Sequence, residues 1–136
     1  MIIVLNNNTV KEKKFSMISN FFYFCRIIKI ISMKKNIALL LGGDSAEAVI
    51  SKKSADHLLN YLDSALYEVY PITVKGTSWT YLHHGDLIDV DKNDFSLFID
   101  GSRVCFDCAI PLIHGTPCED GRLQAYFELM RIPYIT

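Results

Sequence analysis

The stretch NIALLLGGDSAEAVISKKSA, Asn36 to Ala55, decides the fold. Asn36–Leu41 is a short continuous apolar run closed by Gly42-Gly43. A run of that length bounded by glycines predicts a strand buried on both faces, as in a parallel sheet. The period then changes. Ala46, Val49, Ile50, Ala55, Leu58, Leu59 and Leu62 recur at helical spacing, so a helix is expected over Ser45–Tyr61. Ser45 stands in position to cap it, and Asp44 and Glu47 suit the positive end of its dipole. Gly42 and Gly43 let the backbone turn tightly and approach a ligand closely. Glu47, in the first helical turn, then faces the rim of the sheet, where a carboxylate can accept hydrogen bonds from an ammonium group. A helix N-terminus with its customary acidic residue explains the same spacing. A dinucleotide cradle is not predicted, because GGDSAE is not G-x-G-x-x-G.

Working outward, Tyr67–Val74 alternates like a strand, and Pro71 within it predicts an edge or a bulge. Trp79–Leu82, Leu87–Val90, Phe95–Ile99 and Arg103–Phe106 read as short strands, with Asp100-Gly101 a tight hairpin signal between the last two. Cys108–Ile113 is another apolar strand, and it ends at the polar loop His114–Gly121. Arg122–Met130 reads as a helix with Leu123, Tyr126, Phe127 and Met130 on its apolar stripe, and Ile132–Ile135 begins a further strand. The alternation predicts an α/β domain, a mainly parallel sheet flanked by helices with a small antiparallel patch. Ligands of such sheets gather at the carboxyl ends of the strands. Gly42–Glu47 and His114–Gly121 both fall there, so the two loops should share one rim.

Composition sets outer bounds. The chain has 136 residues, a length that favours one domain, and half of them are hydrophobic, which suits a buried core. With 14 basic and 15 acidic residues, the net charge of −1 offers no field for a nucleic-acid backbone. Residues 1–32 differ in texture: MIIVLNNNTVKEKKFSMISNFFYFCRIIKIIS has no sustained helical or strand period. Arg26 and Lys29 interrupt its apolar stretch, which is short of the roughly 20 residues that span a bilayer. No small-residue cleavage site follows. The expected organisation is a leader or mis-assigned start over 1–32 and a folded domain over 33–136, beginning at Met33-Lys34-Lys35, with no membrane role. Cys25, Cys105, Cys108 and Cys118 lack the spacing of a secreted disulfide framework, so a reducing, cytoplasmic compartment is expected. Cys105 and Cys108 sit at an odd offset in extended chain and should point to opposite faces, so no metal site is predicted. His83-His84, beside a turn signal, reads as a solvated pair.

The second motif is HGTPCEDGRLQAYFELMRIPY, His114 to Tyr134. It places His, Glu and Asp in a loop between a buried strand and a helix. From spacing alone His114 serves equally as a structural hydrogen-bonder or a ligand contact. Together the two motifs resemble the D-alanine–D-alanine ligases. Leu40–Ala55 is similar to that family's GG-x-S-x-E-x-x-V-S segment, with Ile50 in place of Val. His114–Ala125 is similar to its H-G-x-x-G-E-D-G-x-L-Q-(G/A) signature. The ending ELMRIPYIT is similar to its E-L-x-G-I-P-Y-T/S. The resemblance covers Met33 to Thr136.

The resemblance implies a Rossmann-like domain preceding an ATP-grasp module. In the family's full enzymes, ATP phosphorylates one D-alanine and the amine of a second attacks the acyl phosphate, making a dipeptide for peptidoglycan. It implies that Glu47 holds the ammonium of the first D-alanine and acts catalytically, and that His114 lies beside the same substrate. Gly42, Gly43, Gly115, Glu119, Asp120 and Gly121 are implied to shape the loops, and Ser51 to be structural. ATP and magnesium are cofactors of the full-length family, bound by central and C-terminal domains; none is expected in this chain, which should not complete the ligation alone. D-alanine and those two domains are the expected partners, with a homodimer left open. The alternative is a non-catalytic remnant, or a stand-alone domain pairing with a separate ATP-grasp partner. Cys118 stands where the family signature has Gly; if that position has a positive backbone angle, strain of about 1 kcal/mol or more follows.

Overall fold

The computed structural model describes residues 34–135. Strand β1 (Lys35–Gly42) lies between β2 (Tyr67–Lys75) and β7 (Cys108–Pro111), parallel to both. It is buried on both faces from Ile37 to Gly42, as its unbroken apolar run requires. Alternate residues serve alternate faces. Ala38 and Leu40 join the larger core, whereas Leu39 and Leu41 pack with Ala55.

β2 continues antiparallel into β3 (Ser78–His83) and β4 (Asp86–Asp89), giving the order β4-β3-β2-β1-β7. Among the described residues, β5 (Ser96–Ile99) and β6 (Ser102–Cys105) form a separate two-stranded sheet. The α/β expectation therefore stands with an adjustment: half of the short antiparallel strands extend the main sheet. Asp100 and Gly101 turn the β5–β6 hairpin with both φ values positive, at 49° and 76°, as a tight two-residue turn demands. Pro71 is not on an edge strand. However, the β2–β3 ladder starts at Ile72, so the proline sits where that side of β2 has no ladder partner.

Helix α1 (Ala48–Leu59) starts three residues later than the periodicity predicts, with Glu47 at its N-cap. It buries Ser51 and Ala55 and leaves Val49 and Ile50 exposed, at 65% and 53%. Two residues counted towards its apolar stripe thus face away from the core. Helix α2 (Arg122–Met130) matches its expected bounds and buries Leu123 and Phe127. Its face of the sheet carries most of the core: Ile72, Val74, Trp79, Val90, Phe95, Leu97, Ile113 and Phe127 form one cluster. Edge-to-face aromatic pairs join it, with ring centroids 5.3 Å apart for both Trp79–Tyr126 and Phe95–Phe127. Burial, with Asp94 and Asp91 nearby, pushes the Tyr126 phenol up to about 12. After α2 the chain returns to β7. The Ala109 N–H donates to the Pro133 carbonyl (2.8 Å) and the Ile135 N–H to the Ala109 carbonyl (3.0 Å), so where a strand is expected over Ile132–Ile135 the described residues form a single isolated bridge, Ala109 with Tyr134.

The leader expected over residues 1–32 lies outside the described residues. Among the described residues no helix is long and apolar enough to cross a membrane.

Candidate functional site

Two loops leave the carboxyl ends of adjacent parallel strands, residues 42–47 after β1 and residues 112–121 after β7. Backbone hydrogen bonds stitch them together. The Asp44 N–H donates to the Thr116 carbonyl (3.2 Å), while the Gly43 N–H donates to the Val74 carbonyl at the end of β2 (2.8 Å). An Asp44 carboxylate oxygen accepts from the Gly76 N–H at 2.6 Å. The diglycine loop is thus fastened on both sides. Its glycines are needed for contact as well as for angle. A Cβ on Gly43 would lie 2.5 Å from Ile113 Cγ2 and 3.2 Å from the Thr116 carbonyl oxygen, and its φ is +99°. Gly42, Gly115 and Gly121 also have positive φ.

Glu47 caps α1 by position alone, with no side-chain capping bond. Its carbonyl accepts from Ile50 and Ser51, and its carboxylate makes no hydrogen bond or ion pair with the described residues. Ser45 is not the cap. Its Oγ accepts from the Glu47 N–H (3.2 Å) and donates to the His114 carbonyl (3.0 Å). The part Ser45 plays was missed in the sequence reading. Its turn to Glu47, two residues on, is a pattern serine commonly makes; its bond to His114, 69 positions away, has no local signal. Ser51 accepts from the Gly42 N–H at 2.9 Å in a fully buried position, and so anchors the diglycine turn to α1.

His114 is half-buried, with Nδ1 3.9 Å from the nearer Glu119 carboxylate oxygen. Asp120 turns towards the start of α2, accepting from the Arg122 N–H (3.2 Å) and pairing with its guanidinium (3.3 Å). Burial would raise its pKa, but the Arg122 N–H, the Thr116 hydroxyl and the Arg122 charge outweigh it and hold the carboxyl below the usual range. Cys118 is buried and is absent from the positive-φ residues, so the strain considered for it does not arise. Burial, then Glu119 and Asp120, push its thiol up against a weaker lowering by Gln124, which disfavours the reactive thiolate.

The two loops of the rim therefore carry Asp44, Glu47, Glu119 and Asp120, the last of them paired with Arg122 at the start of α2. Such a set of acceptors suits an ammonium group and repels a polyphosphate. Among the described residues no group of three or more His, Cys, Asp and Glu side chains is placed to hold a metal ion.

A parallel strand, a diglycine turn held by a buried serine, and a second loop carrying His and two acids make up one rim of an α/β domain. Residues 36–136 match the family model described as D-ala D-ala ligase N-terminus, and the chain belongs to that family. It is 47% identical over 103 residues to the D-alanine–D-alanine ligase of Bacteroides fragilis, covering 75% of this chain and 32% of that protein. Its fold superposes on the D-alanyl-alanine synthetase A of Vibrio cholerae with a TM-score of 0.65 at 35% identity, covering 75% of this chain and 31% of that one. A D-alanine–D-alanine ligase from Bacillus anthracis, solved in complex with ATP, superposes with a TM-score of 0.52 at 28% identity, covering 76% and 28%. The chain spans about a third of the length of these relatives.

Proposed function

We propose that residues 33–136 are the domain that presents the first D-alanine in a D-alanine–D-alanine ligase of peptidoglycan synthesis. The carrying observation is the Glu47 carboxylate, exposed at the rim and free of partners among the described residues, on a loop fastened to the one that bears His114. In this reading Glu47 accepts hydrogen bonds from the D-alanine ammonium, a charge-assisted contact worth about 1.5–3 kcal/mol. His114 lies beside the substrate, and Glu119 and Asp120 shape its loop. ATP and magnesium, when bound, activate a substrate carboxylate by phosphorylation; in this reading they are held by central and C-terminal domains of a full-length ligase, and the acids of this rim, which repel a polyphosphate, support that. Free Cys105, Cys108 and Cys118 support a reducing, cytoplasmic setting. Exposed Val49 and Ile50, beside the rim, suit contact with those further domains.

The test is a D-alanine titration of the purified chain followed by amide NMR. The expected result is shifts at Glu47 and His114 that E47Q abolishes. Equal D-alanine binding by E47Q and by the unaltered chain would sink the reading. With ATP, magnesium and D-alanine supplied together, the purified chain is expected to release no phosphate.

A further inference from the structure

We infer that Ser45 is a positioning residue whose single hydroxyl sets Glu47 and His114 in register; this rests on the D-alanine reading above. Three observations carry it. First, the hydroxyl is used in both directions. Its proton goes to the His114 carbonyl at 3.0 Å, and its lone pair receives the Glu47 N–H at 3.2 Å. A hydroxyl has one proton and two lone pairs, so donating to one loop turns its acceptor side towards the other. The backbones of the two residues implied to touch substrate are thereby joined through one oxygen.

Second, the space around it is closed on the far side. A Cβ on Gly115 would approach Ser45 Cβ to 3.3 Å and Ser45 Oγ to 3.5 Å. The glycine after His114 therefore lets the second loop come close enough for the bond. Third, neither Glu47 nor His114 is fixed by its own side chain. The Glu47 carboxylate has no partner among the described residues, and His114 reaches only to 3.9 Å from Glu119. Their positions are set through the backbone, and the inter-loop connections there are Ser45–His114 and Asp44–Thr116. Of these, only the Ser45 link touches both site residues. A misplacement of about 1 Å at such a site is costly in function while costing little stability.

The experiment compares S45A and S45T with the unaltered chain, using D-alanine as the probe and amide NMR as the readout, with urea unfolding in parallel. S45A is expected to weaken D-alanine binding about tenfold, the order expected from losing one or two hydrogen bonds. The Glu47 and His114 signals should then respond to D-alanine unequally. S45T keeps the hydroxyl and should restore both affinity and the joint response, which a role in stability alone would not explain. E47Q separates this inference from the one it rests on. If E47Q loses binding while S45A retains it fully, Ser45 is no positioning residue and the D-alanine reading survives. If E47Q binds as the unaltered chain does, or the unaltered chain does not bind D-alanine, the D-alanine reading fails and this inference falls with it. S45T behaving as S45A would also overturn the inference.

Discussion

Under α2 the sheet meets a broad apolar layer: Ile72, Val74, Trp79, Phe95, Leu97, Leu123 and Phe127 share one cluster, with Tyr126 and Phe106 packed against it. Under α1 the layer is thin, with Leu39, Leu41 and Ala55 at its centre and Leu58, Leu59 and Val69 at its margin. One helix is held by area. The other has a smaller apolar cluster and adds a buried polar bond, Ser51 Oγ accepting from the Gly42 N–H, at the point where the chain turns into the rim. Apolar burial is non-directional and stabilises without fixing an angle. A buried hydrogen bond contributes less but fixes geometry. The face that needs stability and the face that aims the site are built accordingly.

Truncating the α2 face should have the largest effect. Phe127→Ala removes a fully buried ring whose centroid lies 5.3 Å from that of Phe95 and 5.6 Å from that of Tyr126. It should cost about 3–5 kcal/mol in urea unfolding. A loss under 1 kcal/mol would mean that this layer is not the main support. Ser51→Ala tests the other face. It leaves the Gly42 N–H buried without its partner, and should cost about 1–3 kcal/mol. It should also loosen the rim, seen as faster amide exchange at Gly42 and Gly43, which Phe127→Ala should match only through global unfolding. Identical exchange patterns for the two variants would erase the contrast between the faces.

Legibility follows the same division. β1 and α2 were readable because each is a local pattern, an unbroken apolar run ended by glycines and a helical stripe with defined ends. The Asp100-Gly101 hairpin was readable because turn chemistry is local. The destination of the β3–β4 hairpin was not, since nothing in Trp79–Leu82 or Leu87–Val90 says which sheet the strands will join. The α1 face was read correctly at Ala55, Leu58 and Leu59 and misread at its start, for a related reason. Helical spacing counted Val49 and Ile50 as core, whereas the buried positions are Ser51 and Ala55, and a serine contributes nothing to an apolar periodicity. At the rim, the residue types of Glu47 and His114 were visible, but their joining through Ser45 spans 69 positions and exists only in the fold.

The end of α2 offers a change of opposite sign. Arg131 closes the helix in the left-handed region at φ 55°, where the family's E-L-x-G pattern has glycine. Its N–H still reaches the Glu128 carbonyl at 3.2 Å, so the cap is formed and only the side chain is unfavourable. Arg131→Gly should stabilise the chain by about 1 kcal/mol, read as a higher urea midpoint at unchanged slope. A destabilised variant would show that the arginine side chain makes a compensating contact.

The smallest effect on stability belongs to the exposed side of α1. Val49→Ser and Ile50→Ser remove apolar groups that already face outward, so each should change stability by no more than about 0.5 kcal/mol. A core role for these two residues, as helical spacing alone suggests, would instead make each substitution cost about 1 kcal/mol or more. A cost that large would bring the α1 face closer to the α2 face in kind. A near-zero cost would leave an apolar pair beside the rim that folding does not use.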